Sequence, residues 1–387
     1  MRNIRRLFVV PILAAVLAMT DCGGSHPVQS GCPSCTSSKH FVYVANDGGN
    51  QSTVSALASD ATTGVLTPIT GSPYNSGSGS LALAKDPVGA HIYVANDFSG
   101  DISAFSMNAT SGTLNPIATS PITVETGVDA IAIDPLGQFL YVVSGNSSNL
   151  WGFSINSAGG LTLLQAMPLS VSNLATSSSV LIDPSGKYLY VAAGSSSSSS
   201  IFGFSRNIST GALASLAGFP VPLNGQSNHG AFDPTGKFLL FTGNNVFGTA
   251  GGLDVFTLDS SSGSLTLASG SPAQVRDDPA GVIVDASGKY VYVPNTADAT
   301  ISAFTLDPAT GALASVSGSP FPSGGNGSIN GPLGIATDNS GKFIYVANAS
   351  NDVSVFSINS GTGVLTSVGG SPFPDGGNGP SAIIFVP

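Results

Sequence analysis

Side chains able to move protons or hold anions are scarce in this chain, so the few present are conspicuous. Past the first 21 residues there is one glutamate, Glu125, and two arginines, Arg206 and Arg276. His229 stands in Ser227-Asn228-His229-Gly230-Ala231-Phe232-Asp233, where an imidazole within reach of water could do acid–base work. Arg276-Asp277-Asp278 joins a cation to two carboxylates, and Glu125 and Asp129 supply two more. The bland reading is that such residues are solvated or bonded locally; an exposed pair between Arg276 and Asp277 or Asp278 would contribute only ~0.5 kcal/mol. A second set is amide in character. Asn46, Asn96, Asn295 and Asn348 recur at one equivalent place and could offer amides to a sugar or other polar ligand. Asparagine at a strand end also suits a left-handed turn or a bond to its own backbone.

The elements that position these residues come from a repeat. Tyr43, Tyr93, Tyr141, Tyr190, Leu240, Tyr292 and Tyr345 return about every fifty residues. Each unit contains four short segments rich in Val, Ile, Phe and Tyr, bounded by Gly, Asn, Ser and Pro, which is the pattern of strands rather than helices. Asp-Pro-x-Gly, as in Asp134-Pro135-Leu136-Gly137, marks the turn between first and second strands, and Thr-Gly or Ser-Gly marks the turn between third and fourth. The repeat enters at a second strand, His40 to Ala45, and ends on Pro380-Ser381-Ala382-Ile383-Ile384-Phe385-Val386, which matches the missing first strand. The expected fold is all-β: a seven-bladed β-propeller of four-stranded antiparallel blades, closed by the C-terminal strand pairing into the N-terminal blade. Phe105, Phe153, Phe204, Phe256, Phe304 and Phe356 recur on the third strands and read as core between blades.

In such a ring the fourth-to-first and second-to-third connections share one face around the central channel. Glu125, Asp129, His229, Arg276, Asp277 and Asp278 all fall in fourth-to-first connections. The serine run Ser195 to Ser200 falls between second and third strands and reads as a loop tip.

Charged residues are 8% of the chain, against about 25% in an ordinary globular protein. A net charge of -10 with 11 basic residues leaves no basic stripe, which excludes nucleic acid as a partner. Phosphate-binding, zinc-protease and calcium-loop motifs are absent from the sequence, so no metal and no cofactor is expected.

The N-terminus reads as a targeting segment. Arg2, Arg5 and Arg6 precede an apolar run from Leu7 to Ala18, the pattern of a signal peptide over residues 1-21. Cys22-Gly23-Gly24-Ser25 then follows as in bacterial lipoproteins, with Cys22 as the lipidated residue; simple cleavage is the alternative. Residues 22-38 form a Gly/Ser/Pro/Cys tail in which Cys32 and Cys35 read as a local disulfide, and residues 39-387 form the propeller. These features imply an extracytoplasmic protein, secreted or held in the bacterial envelope by a lipid anchor alone, and a monomer.

Tyr-Val-Ala-Asn at Tyr43, Tyr93 and Tyr345, together with Asp-Pro-x-Gly-Lys-Phe/Tyr-x-Tyr-Val, resembles the YVTN-repeat propellers and is most similar to the seven-bladed lactonase-like group that includes 6-phosphogluconolactonase. The resemblance implies a site at the channel mouth using His, Arg and Glu. Carried onto this chain, His229 would be base or water-positioning group, Arg276 an oxyanion or carboxylate binder, and Glu125 or Asp129 a helper. The family's His typically lies five residues before the turn Asp, whereas His229 lies four before Asp233, and a one-residue slip turns a strand side chain to the other face. The family's Gly-Pro-Arg-His segment has no counterpart either.

With that depleted inventory, the expected function is a membrane-anchored binding or interaction module whose partner is a small polar ligand, a lactone or an envelope protein. The alternative is a lactonase acting on a sugar-acid or other small lactone. A dianionic phosphosugar fits poorly with a net negative chain carrying one candidate arginine.

Overall fold

The computed structural model describes residues 39–48, 51–165, 167–170, 177–195, 198–244, 251–324 and 331–387. Cys22, Cys32, Cys35 and the leader lie outside the described residues.

Seven antiparallel sheets are present and no helix occurs among the described residues. Each sheet runs outward from an inner first strand. In blade 2 these are Ser80–Lys85, His91–Asn96, Asp101–Met107 and Leu114–Pro116. Blade 1 is closed as expected: His40–Asn46 pairs antiparallel with Pro380–Val386, with Tyr43 opposite Ile384. The ring therefore has no unpaired inner edge at its seam.

Two details differ from the sequence reading. Each blade carries a fifth short strand, such as Ile122–Thr123, which pairs with the start of the third strand, Asp101 and Ile102. A serine anchors it in five blades; the Ser120 hydroxyl, for example, accepts the Ala104 N–H at 2.9 Å. The serine run, read as a loop tip, instead extends a hairpin: Gly194 pairs with Ser199 and Ser195 with Ser198.

The recurring tyrosine explains why the repeat holds as a ring. Its ring is buried between blades, and its hydroxyl donates to the third-to-fourth turn of the next blade: Tyr43 to Gly112 O at 2.7 Å, Tyr93 to Gly159 O at 2.8 Å, Tyr141 to Gly211 O at 2.6 Å, Tyr190 to Gly263 O at 2.7 Å and Tyr292 to Gly363 O at 2.9 Å. Tyr345 meets the Ser59 hydroxyl across the seam instead, at 2.8 Å. Gly112 shows why that turn needs glycine: φ is +72° and an added Cβ would lie 2.4 Å from the Phe41 ring. Phe105, Phe153, Phe204, Phe256, Phe304 and Phe356 are buried, as their period predicts.

At the far end of the channel the Asp-Pro-x-Gly turns close on their own aspartates. Asp134 Oδ1 accepts the N–H groups of Gln138 and Phe139 at 2.6 and 2.7 Å. Arg206 ties blade 4 to blade 3 here: Nε donates within its own blade to Gly186 O at 2.6 Å, and Nη2 reaches Asp134 Oδ2 of blade 3 at 3.3 Å. Its guanidinium lies 5.5 Å from the Phe139 ring centre.

Candidate functional site

The inner strands are not regular. Register shifts between Ser80 and Ala82, Val128 and Ala130, Pro332 and Gly334, and across Ala45/Asn46 insert one extra residue near the same end of each strand. A bulge leaves the extra residue out of the ladder and re-aims its neighbours. Leu81, Leu333 and Ser381 occupy such positions, and all three line a channel cavity of about 470 Å³.

His229 lines the same cavity. Its strand, Gln226–Phe232, breaks register between Ser227 and Gly230. Inside the break the Thr242 hydroxyl donates to His229 O at 3.2 Å, where other blades carry Ala, Val or Pro. His229 thus reaches the cavity from within the register break, at the position that Ala82 holds in blade 2, one residue after the bulge. The imidazole is exposed to the channel yet surrounded by the ring of blades. That loss of bulk solvation lowers its pKa below the usual histidine value, leaving it neutral at pH 7.

The same cavity is lined by Asp278, Thr296 and Asp47, with Ala280, Gly379 and Pro380. Asp278 sits in the left-handed region at φ 56°, and its carboxylate accepts Asn244 Nδ2 at 2.9 Å. Its carbonyl accepts Thr296 N–H at 2.8 Å, while the Thr296 hydroxyl donates to Pro332 O at 2.9 Å. The Asp47 N–H donates to Gly379 O at 2.6 Å, tying the seam loop to the mouth. Asp97 is the counterpart of Asp47 in the next blade. Burial raises its pKa first and the Asp47 charge adds to this, against a backbone N–H from Gly127 that lowers it.

The structure therefore brings His229 and Asp278 together and leaves other candidates apart. Glu125 lies outside this cavity, and both its oxygens are engaged: it accepts from the Ser147 hydroxyl, from Asn149 Nδ2 at 3.2 Å and from Trp151 Nε1 at 2.6 Å. Arg276 and Asp277 are exposed in the loop before Asp278 and do not line the cavity. Asp129 occupies the bulge of blade 3 and accepts Gly145 N–H at 3.0 Å.

Asn46, Asn96, Asn295 and Asn348 are fully buried rather than open to ligand. Each amide donates across its own blade to a third-strand serine, Ser55, Ser103, Ser302 or Ser354, at 2.8 to 3.0 Å. They are blade latches, and the amide contacts expected from them at the channel are not made. Asp47, Thr242 and Thr296 had not been singled out in the sequence. The signal for Thr242 was a polar residue standing where the repeat is apolar. Asp47 and Thr296 follow the asparagine positions directly.

A family model described as "Lactonase, 7-bladed beta-propeller" matches residues 32–226 and 229–378. The chain belongs to this lactonase family of seven-bladed propellers. Solved structures with the same fold include a provisionally named 6-phosphogluconolactonase from Bacteroides fragilis, 22% identical, with a TM-score of 0.73 over 92% of this chain and 100% of that one. The periplasmic gluconolactonase of Pseudomonas aeruginosa is 20% identical, with a TM-score of 0.72 over 90% of this chain and 99% of that one. No curated protein sequence matches significantly. The family match overturns the expectation of a binding module. That expectation rested on counting acid–base residues, and a lactonase-family propeller with an imidazole in its channel does not need a large inventory of them.

Proposed function

We propose that this lactonase-family propeller hydrolyses a small lactone in its central channel, with His229 as general base. The observation that carries the reading is a solvent-open but desolvated imidazole in the channel wall, neutral at pH 7 and so able to accept a proton. His229 takes a proton from water as the water oxygen bonds to the lactone carbonyl carbon. The tetrahedral adduct then collapses with cleavage of the ring C–O bond, and the imidazolium returns its proton to the departing ring oxygen. The product is a hydroxy acid, which ionises to its carboxylate.

With no arginine in the cavity wall among the described residues, the oxyanion is held by neutral donors. Bulge positions such as Leu81, Leu333 and Ser381 leave backbone N–H groups outside the ladder for this role. The leader pattern of residues 1-21 supports an enzyme outside the cytoplasm, anchored through Cys22 or secreted.

A lactone panel assayed with the purified chain by continuous acid titration tests the reading. Saturable hydrolysis of at least one five- or six-membered lactone is expected. Rates no greater than spontaneous opening across the panel would refute it.

A further inference from the structure

Cations are unevenly placed along the channel axis, although carboxylates stand at both ends. Lys187, Lys237, Lys289 and Lys342 all follow the Asp turns at the end of the channel remote from His229. Lys237 and Lys342 are spent on backbone carbonyls of the next blade, with Nζ donating to Pro308 O at 2.7 Å and Thr62 O at 3.0 Å. At the His229 end, by contrast, Asp47 and Asp278 line the cavity itself, Asp97 lies close enough to Asp47 to feel its charge, and among the described residues no lysine or arginine is in the wall, Arg276 standing exposed two residues before Asp278. The rest of the wall is Leu81, Leu333, Ala280 and Pro380, with hydroxyls from Thr296 and Ser381.

A phosphorylated or carboxylated lactone entering here would meet at least two carboxylates in a low-dielectric channel whose described wall residues include no cation. An uncharged lactone meets no such barrier. Its ring can rest on the apolar wall, and its hydroxyls can donate to the carboxylates, as acceptors of charged character favour. Ring opening then creates a carboxylate in the same field, which drives the product out.

We infer that Asp47 and Asp278, backed by Asp97, act as an electrostatic filter that commits this channel to uncharged, hydroxyl-bearing lactones and rejects anionic ones. The inference rests on the lactonase reading for its chemistry, but its binding content can be tested without turnover.

Two ligand pairs serve: gluconolactone with its 6-phosphate for hydrolysis, and the unreactive gluconolactam with its 6-phosphate for calorimetric binding. The neutral member is expected to be favoured on the order of 100-fold in both kcat/KM and affinity, with the preference falling as salt rises. Asp278→Asn and Asp47→Asn are each expected to narrow that ratio by roughly threefold to tenfold, with melting temperature followed as the folding control. Asp259→Asn, on the remote face, is expected to leave the ratio unchanged. Preferred binding of the neutral lactam with no turnover of any lactone would sustain the filter and refute the lactonase reading. Equal or better use of the phosphorylated member, no binding of either lactam, or a ratio insensitive to both cavity variants would overturn the filter.

Discussion

His229 owes its character to three features: the blades that surround it, the register break in which it sits and the Thr242 hydroxyl that bonds its carbonyl. Because the surroundings disfavour the imidazolium, the proton is lost at a lower pH than from a free histidine. A base must be unprotonated to act, so kcat/KM is expected to hold as pH falls through 6.5, the ordinary histidine value, and to decline only below it. A profile whose acid limb lies at or above 6.5 would place the base elsewhere. Candidate residues were legible from sequence as types, while their partners were not. Glu125 is drawn off by Trp151, Asn149 and Ser147, which follow it by more than twenty positions, and nothing local announces that cluster.

Within a blade, strands and tight turns were readable because each is set by local chemistry: alternation, proline and aspartate in the turn, glycine at positive φ. The bulges and the fifth strand were not. A bulge is fixed by the register between two strands and by the twist of the whole sheet, neither of which a one-dimensional alternation encodes. Comparing blades also exposes one that is poorly satisfied. Asp375 stands where the first and sixth blades carry Ser76 and Ser323. It is 2% exposed, its Oδ2 lacks a partner among the described residues, and burial, with a further push from Asp352, raises its pKa against the Gly377 N–H that lowers it. A raised carboxyl pKa means that the charged form costs stability in the fold above that pKa, a cost that vanishes once the group is protonated. Asp375→Ser is accordingly expected to raise the melting temperature at pH 7, with the gain shrinking as pH falls toward 3.8. Thermal denaturation at several pH values checks this, and a variant that melts lower at pH 7 would contradict it.

The whole ring depends on a repeated bolt rather than on one core. Each interface joins the apolar faces of two neighbouring sheets, as where Tyr43 and Val54 of the first blade meet Ile92 and Phe105 of the second. Tyrosine hydroxyls fix the rotation of one blade against the next, and Leu240 is the repeat position that lacks a hydroxyl. Tyr141→Phe removes one bolt and leaves the Gly211 carbonyl buried without its donor, which should cost about 1–3 kcal/mol in denaturant unfolding. A loss under about 0.3 kcal/mol would mean that the bolts set geometry without stabilising it. Closure of the ring was the part most legible in sequence, because a missing first strand at one terminus and a spare one at the other have a single mutual solution.

The ring matters functionally because it gathers six bulged strand ends around one axis and sets the His229 imidazole among them. The measurement that bears on this most directly is the kcat/KM of His229→Ala beside the unmodified chain, on the best lactone of the panel at pH 7. A fall of roughly 100- to 10,000-fold with an unchanged melting temperature is expected for loss of a general base. Retention of activity within about twofold would remove His229 from the chemistry and with it the case for catalysis at this end of the channel.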